Sequence, residues 1–283
     1  MKTVEAKNEI TSLELEDRVL KILADPITKK PTSPQKFKHS NGIIDARVFL
    51  KNTYGFYDWQ EGRDVYEQWE SSGKGYGNQV NAYKKEINYD RPIYKYYKMN
   101  GDILDVGGQT GTVREFLNDN CRLISVDPFL EAIFKIPQAK KEAYECLSKP
   151  LNFIGALAEF LPFQSESFDY VHMRSMLDHV QVPDLALKEA SRVLKSNGGL
   201  IVGLLVEGGK VGRKPFIRWS KDMIKEAFEL IGIKKYKDHH TRHPTYTNLL
   251  KLINDNGFEV KDTYWQPYFK DQVVYVFATK KVL

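Results

Sequence analysis

Two acids and a run of glycines carry the first chemical signal. Asp105 sits in a short apolar stretch, Ile103-Leu104-Asp105-Val106, and Gly107, Gly108, Gln109 and Gly111 follow at once. Positions without side chains let a ligand press against free backbone N–H groups. A carboxylate at the mouth of such a loop suits a cationic ligand head more than a pyrophosphate. Asp127 lies roughly 20 residues beyond the loop, at the end of a second apolar stretch, where an acid can accept both hydroxyls of a ribose. Histidines supply a second chemistry, because neutral imidazole is the natural proton acceptor near neutral pH. His239, His240 and His243 cluster with Asp238 and Arg242. Three readings of this cluster stay open: a base or acceptor contact, metal ligation, or surface and helix-capping residues. Pro244 counts against metal ligation, because it interrupts the helix that would present His239 and His243 on one face. No metal site is expected. His179 has two readings, a base near the reacting group or a structural hydrogen bond.

These groups need strands that end at the acids and turns that lead back to the sheet. Ile103, Leu104 and Val106 read as a buried strand, and Val113, Phe116 and Leu117 fall at helical spacing after the glycine turn. Further strands are expected at 123–126, 153–154, 168–173 and 199–206. A helix with Leu185, Leu187, Ala190 and Val193 on its apolar face separates the last two, with Asp184 as its expected cap. Helices over 220–231 and from Thr247 to Gly257, then alternating strands over 257–265 and 273–279, complete the chain. Strand–helix alternation of this kind predicts an open α/β sheet that binds its ligand at the C-terminal ends of the strands. Ahead of it, residues 1–55 read as a small appendage. Its first helix, carrying Leu13 to Leu23, stops at Asp25-Pro26, and the stretch from Gly42 to Leu50 is expected to be strand-like. Between Tyr54 and Tyr97, aromatic residues interleave with charge and are expected to pack on the sheet edge or to line a lid.

Composition narrows the class. With 283 residues and 42% hydrophobic content, the chain can build one large core plus an appendage. The formal net charge of +5 is spread along the sequence, which permits an acidic partner without requiring one. Two cysteines, Cys121 and Cys146, cannot make a disulfide framework and are not spaced for a metal. No apolar run is long enough for a membrane span, and the N-terminus lacks the apolar core of a signal peptide. A cytoplasmic location is expected.

The run Asp105-Val-Gly-Gly-Gln-Thr-Gly111 resembles motif I of the class I S-adenosylmethionine-dependent methyltransferases, with Gln109 where that family usually has a glycine. Ala158-Glu-Phe-Leu-Pro-Phe-Gln-Ser-Glu-Ser-Phe-Asp169 resembles the signature of the branch that includes ubiquinone and menaquinone biosynthesis enzymes. The resemblance runs from Gly101 to Val206. It implies a Rossmann-like α/β fold, with a seven-stranded, mostly parallel sheet between helices over 56–283 and lid helices within 56–99. It implies S-adenosyl-L-methionine as cofactor. Asp105, Gly107 and Gly111 would hold the methionine part, Asp127 the ribose, and Ala158 and Glu159 the adenine edge, with Gly108, Gln109 and Pro128 also among the cofactor-binding residues. Met173 and Arg174 would border the cofactor. Tyr83, Tyr89 and Arg91 are the implied lid residues, and Arg242 with the histidine cluster falls where such enzymes build an acceptor site. Leu20 to Thr28 is also similar to the start of a small zinc-ribbon domain, with Asp25 and Thr28 standing where that family has cysteines and so without its metal.

The implied activity is methylation of a small molecule or a glycan precursor, with oxygen as the expected acceptor atom. Methylation of RNA is an alternative, motivated by the mild positive charge and the aromatic belt. A third reading, motivated by Gln109, is a non-catalytic cofactor-binding or interaction protein. No Asn-Pro-Pro-Tyr run and no Pro-Cys nucleophile is present, against methylation of amino groups on adenine or glutamine and against the covalent cytosine mechanism. If Asp127 holds the ribose, Asp127→Ala is expected to weaken cofactor binding by about tenfold or more, and titration calorimetry with S-adenosylhomocysteine measures it.

Overall fold

A computed structural model describes residues 15–52, 56–71, 76–211, 244–267 and 271–281. Its centre is made by the runs of branched apolar residues, which become strands buried on both faces. β1 (Lys38–Ser40) and β2 (Ile43–Asp45) form a hairpin at one edge. β3 (Asp102–Val106), β4 (Arg122–Asp127), β5 (Asn152–Gly155), β6 (Phe168–Arg174) and β7 (Leu194–Leu205) form the parallel centre. β8 (Phe258–Trp265) and β9 (Val273–Lys280) close the other edge, with β9 antiparallel to both β7 and β8. The order across the sheet is β1-β2-β5-β4-β3-β6-β7-β9-β8. The chain moves outward from β3 first through β4 and β5, then through β6 and β7. That reversal opens a crevice above the C-terminal end of β3, where ligands of such sheets bind.

Among the described residues the α-helices are α1 (Asp17–Lys21), α2 (Phe56–Ser71), α3 (Val80–Tyr96), α4 (Gln138–Ala143), α5 (Pro183–Val193) and α6 (Tyr246–Asp255). α5 buries Ala186, Leu187, Ala190 and Val193, and α6 buries Leu249 and Ile253, in the core cluster that also holds Leu104, Val171 and Val202. Thr245 caps α6 by accepting from the Asn248 N–H at 3.3 Å.

Four expectations need correction. The sheet has nine strands among the described residues, not seven, because the N-terminal appendage adds β1 and β2 through parallel pairing of β2 with β5. The glycine turn opens onto a short 3-10 turn, Thr112–Phe116, rather than an α-helix; Gly111 enters it in the left-handed region, and the polar run Asn118-Asp119-Asn120 gives no apolar face to continue it. Asp184 does not cap α5; its carboxylate accepts from the Asn256 side chain at 3.0 Å instead. The strand expected over 42–50 is confined to Ile43–Asp45. The helix expected over 220–231 lies outside the described residues.

The appendage is locked to the sheet at several points. Leu23 bridges Phe163, and the Ala46 N–H donates to the Gly155 carbonyl at 2.7 Å. The Lys29 ammonium donates to Glu189 at 2.6 Å, and the Arg192 guanidinium holds the same carboxylate from α5. At the segment similar to a zinc ribbon, the Asp25 carboxylate accepts from the backbone N–H groups of Ile27 and Thr28 at 3.0 and 2.7 Å, closing the turn with hydrogen bonds. Leu23 is fully buried in the main core. Leu23→Ala is therefore expected to cost about 2–5 kcal/mol of the whole protein's stability; in urea unfolding followed by circular dichroism, an unshifted main transition would mean that the appendage folds apart from the sheet.

Candidate active site

The end of β3 is shaped by an acid beneath it. Asp105 and His172 face each other across the β3–β6 register. The Asp105 carboxylate lies 2.8 Å from Nδ1 of His172, and Nε2 of the same ring lies 3.1 Å from the Tyr94 hydroxyl on α3. A carboxylate accepts, so Nδ1 carries the proton and Nε2 accepts from the phenol. Burial pushes the Tyr94 phenol well above its ordinary pKa, which keeps it a donor. A Cβ on Gly108 would stand 2.2 Å from Asp105 Oδ2 and 2.7 Å from Ser125 Oγ, so only glycine can cross at this height.

Above this layer the turn is pinned to β4. Gly107 has φ +72° and donates to the Val126 carbonyl at 2.8 Å. A Cβ on Gly107 would meet the Met176 Cβ at 2.7 Å. Gln109 holds φ +42°, the left-handed region that explains why a glycine is usual there. Its carbonyl accepts from Ser125 Oγ and its N–H donates to Asp127 Oδ2, both at 3.2 Å. The other Asp127 oxygen accepts from the Phe129 N–H at 2.9 Å. Asp127 thereby ties the glycine turn to the segment after β4, and its carboxylate stands in the lining of the cleft over the turn.

Glu159 has a structural task. Its Oε1 accepts from the N–H groups of Gln181 and Val182, at 2.8 and 3.1 Å, at the start of α5. Burial raises its pKa, and the N–H groups of Val182 and Gln181 pull the other way.

A cleft open to solvent lies over these elements. Its floor is Val106, Gly107, Gln109, Asp127, Pro128 and Phe129, and one wall is Ala156, Leu157, Ala158 and Glu159. The other wall is the segment after β6, with Ser175, Met176, His179 and Val180, and α2 contributes Trp59, Arg63 and Tyr66. Trp59 Nε1 donates to the His179 carbonyl at 2.8 Å. The Tyr66 ring lies 5.3 Å from the His179 ring and 5.6 Å from that of Phe129.

Of the residues expected to meet a cofactor, Gly107, Gln109, Asp127, Pro128, Ala158 and Glu159 thus come together on one cleft. Asp105, Gly108, Gly111, Met173 and Arg174 lie outside its lining. Asp105 is turned toward His172, and Arg174 grips the buried Asp90 of α3 with both Nη atoms, one at 2.9 Å. Burial raises the Asp90 pKa, against the pull of Arg174. Helix α2, not α3, runs along the cleft. Tyr83 instead packs against Tyr144, the Arg91 guanidinium stands over the Phe116 ring, and the Tyr89 carbonyl accepts from Gln266. Sequence reasoning passed over Arg63, although Trp59, Arg63 and Tyr66 share the i, i+4, i+7 spacing of one helix face. His239, His240, Arg242 and His243 lie outside the described residues. Among the described residues no cluster suited to a metal occurs, and no helix is long and apolar enough to cross a membrane. Both cysteines are free, and burial pushes the Cys146 thiol up to about 12.

A glycine turn over a crevice, an acid at the end of the neighbouring strand and a cleft between them are features of a Rossmann-like fold. Comparison with known proteins gives the class. The family described as methyltransferase domain matches residues 104–202. The ubiquinone/menaquinone biosynthesis C-methyltransferase UbiE of Rickettsia massiliae is 35% identical over 186 residues, covering 60% of this chain and 73% of that protein. Its counterpart in Agrobacterium fabrum is 38% identical over 106 residues, 35% of this chain and 39% of that one. Among solved structures, the 1,6-didemethyltoxoflavin-N1-methyltransferase of Burkholderia thailandensis, bound to S-adenosylhomocysteine, matches with a TM-score of 0.54 at 15% identity, over 85% of this chain and 95% of that one. A Pyrococcus horikoshii protein matches with a TM-score of 0.51 at 20% identity, over 72% and 94%. The chain belongs to the class I S-adenosylmethionine-dependent methyltransferases, in the ubiquinone/menaquinone branch. It is an enzyme, and its cofactor is S-adenosyl-L-methionine.

Glu159 makes the site's wall sensitive to pH. A carboxyl whose folded pKa is raised contributes stability in full below its unfolded value, and loses it as pH rises through the folded value. Glu159→Gln keeps an acceptor for both α5 N–H groups and removes the ionisation. The variant is expected to gain stability relative to the parent as pH rises from about 4; urea denaturation at a series of pH values checks this, and parallel profiles would refute it.

Proposed function

We propose that this methyltransferase places a methyl group on a carbon atom of a small aromatic acceptor of the quinol type, bound beneath α2. The observation that carries the reading is the ring-lined side of the cleft, where Trp59, Tyr66, Phe129 and His179 surround the space left beside the nucleoside-binding floor. Flat aromatic walls suit a flat acceptor. The names of the relatives, which are C-methyltransferases of quinone biosynthesis, favour carbon over the oxygen expected at first. One arginine and no lysine line the cleft among the described residues, which does not favour an RNA strand as acceptor.

The residues fit the cofactor. The two Asp127 oxygens would take the ribose hydroxyls. The backbone at Gly107 and Gln109 would lie against the methionine half, because no side chain fits between Gly107 and Met176. Ala158 and Glu159 would frame the adenine edge by their backbone, while the Glu159 carboxylate holds α5. Bound S-adenosylmethionine supplies a methyl group on a positively charged sulfur, which leaves as a neutral thioether. The protein's share is position and exclusion of water. His179 stands on the wall where a proton lost from the acceptor could be taken up. The N-terminal unit, taken as residues 1–55, works as a brace: Arg47 donates to the Pro128 carbonyl at 3.1 Å, and Phe49 packs on Trp59.

Incubation with methyl-labelled S-adenosylmethionine and a panel of reduced quinones is expected to give a product whose label sits on a ring carbon. Nuclear magnetic resonance separates such a methyl from a methoxy group, and a methoxy product would overturn the carbon reading.

A further inference from the structure

The lid side of the cleft holds a guanidinium with unused hydrogen-bonding capacity. Arg63 lies between Trp59 and Tyr66 on the inner face of α2, and its side chain is only 14% exposed. Its planar head packs against the rings of Phe49 and Trp59, at 5.1 and 5.6 Å from their centres. Nη2 donates to Asp64 at 2.9 Å. Nε and Nη1 are buried and have no hydrogen-bond partner among the described residues. Buried N–H groups in folded proteins are almost always satisfied. Two on one guanidinium, in a side chain that lines the cleft, leave a capacity that an acceptor atom of a ligand would meet once the covering rings of Phe49 and Trp59 give way to it. The guanidinium is permanently charged and forked, so its preferred partner is an anionic oxygen.

Two sources of such an oxygen could reach the cleft: the carboxylate of the cofactor and an ionised hydroxyl of the methyl acceptor. The surroundings of Arg63 favour the second. The methionine half of the cofactor belongs at the Gly107 turn, against Met176. Arg63 is tied instead to the rim beyond it. Trp59 is anchored on the His179 carbonyl, and Phe49 adjoins Leu50, whose carbonyl accepts from Gln181 Nε2 at 3.4 Å.

We propose that Arg63 binds an ionised oxygen of the acceptor, a phenolate or enolate, alongside the rings of Trp59 and Tyr66. This rests on the reading that the acceptor is an aromatic ring. Binding releases the hydroxyl proton to solvent and leaves a ring richer in electrons at carbon. Arg63 thereby selects acceptors by the acidity of their hydroxyl as well as by shape.

The test uses 4-nitrophenol, whose ionised form absorbs in the visible, and 4-nitroanisole, which has no ionisable oxygen, with the full-length enzyme loaded with S-adenosylhomocysteine. The parent is expected to bind 4-nitrophenol and to raise its ionised fraction at fixed pH. Arg63→Gln is expected to lose that spectral shift and about tenfold in affinity, with 4-nitroanisole bound equally by both. Unchanged affinity for S-adenosylhomocysteine in the variant shows that the fold and the nucleoside site persist. The proposal is overturned if Arg63→Gln binds 4-nitrophenol as the parent does. It is also overturned if the variant binds S-adenosylhomocysteine more weakly but 5′-methylthioadenosine equally, since the guanidinium would then serve the cofactor carboxylate. Were the parent to bind neither ring compound, the aromatic reading itself would fall, and this proposal with it.

Discussion

A carboxylate buried under a glycine turn sets the geometry of this protein. Asp105 is 3% exposed, at the C-terminal end of the central strand. A charge there is costly unless it is paired and hydrogen-bonded, and the partner comes from directly across the sheet, His172 of β6, which is in turn capped by Tyr94 of α3. One contact therefore fixes the ends of two strands and the seat of a helix. It also sets the path of the chain above. Gly108 crosses over the carboxylate with no space for a side chain, and the turn is then held sideways by Ser125 and Asp127. The acid that reaches the cleft is Asp127, while Asp105 acts through the shape it imposes.

This division explains which parts of the site were legible in the sequence. Acid, glycines and second acid at their spacing located the crevice, because strand ends and turns are local features. The direction in which Asp105 points was not legible, since it depends on His172, 67 residues away, being placed opposite by sheet register. Glu159 is similar. Its position beside the nucleoside wall could be read from the run around it, but its side chain answers the unpaired N–H groups at the start of α5, a demand that arises only once the helix is docked. The aromatic belt was visible as composition, yet the choice between α2 and α3 as cover was decided by packing. Tyr83 faces α4 and Tyr144, whereas Trp59 finds a backbone carbonyl on the cleft rim.

The ninefold sheet has a physical cause of the same kind. β5 is a short strand, and left at an edge it would expose unpaired backbone groups. The hairpin of β1 and β2 covers it, and Lys29 ties the appendage separately to Glu189 of α5. The sequence of the appendage shows only short apolar runs, because the strands it supplies are three residues each and borrow their stability from β5. Bracing this edge has a consequence for the cleft: β5 leads into Ala156 to Glu159, so whatever steadies β5 steadies the wall.

The charges around the cleft are arranged in layers. Asp127 stands on the floor, and Arg63 hangs from α2 among aromatic rings on the opposite side. A transfer from a sulfonium to an electron-rich ring moves positive charge from the cofactor toward the acceptor, so the chemistry gains when an anionic acceptor is held close and water is kept out. A cation fixed on the cover can serve that need without competing with the floor for the ribose. Because Trp59 ties the same helix to the His179 carbonyl, the distance between that cation and the rim is set by one rigid turn of helix rather than by a loop. On the proposed reading the cover is part of the binding surface, and the residues that line it are the ones equipped to recognise the acceptor.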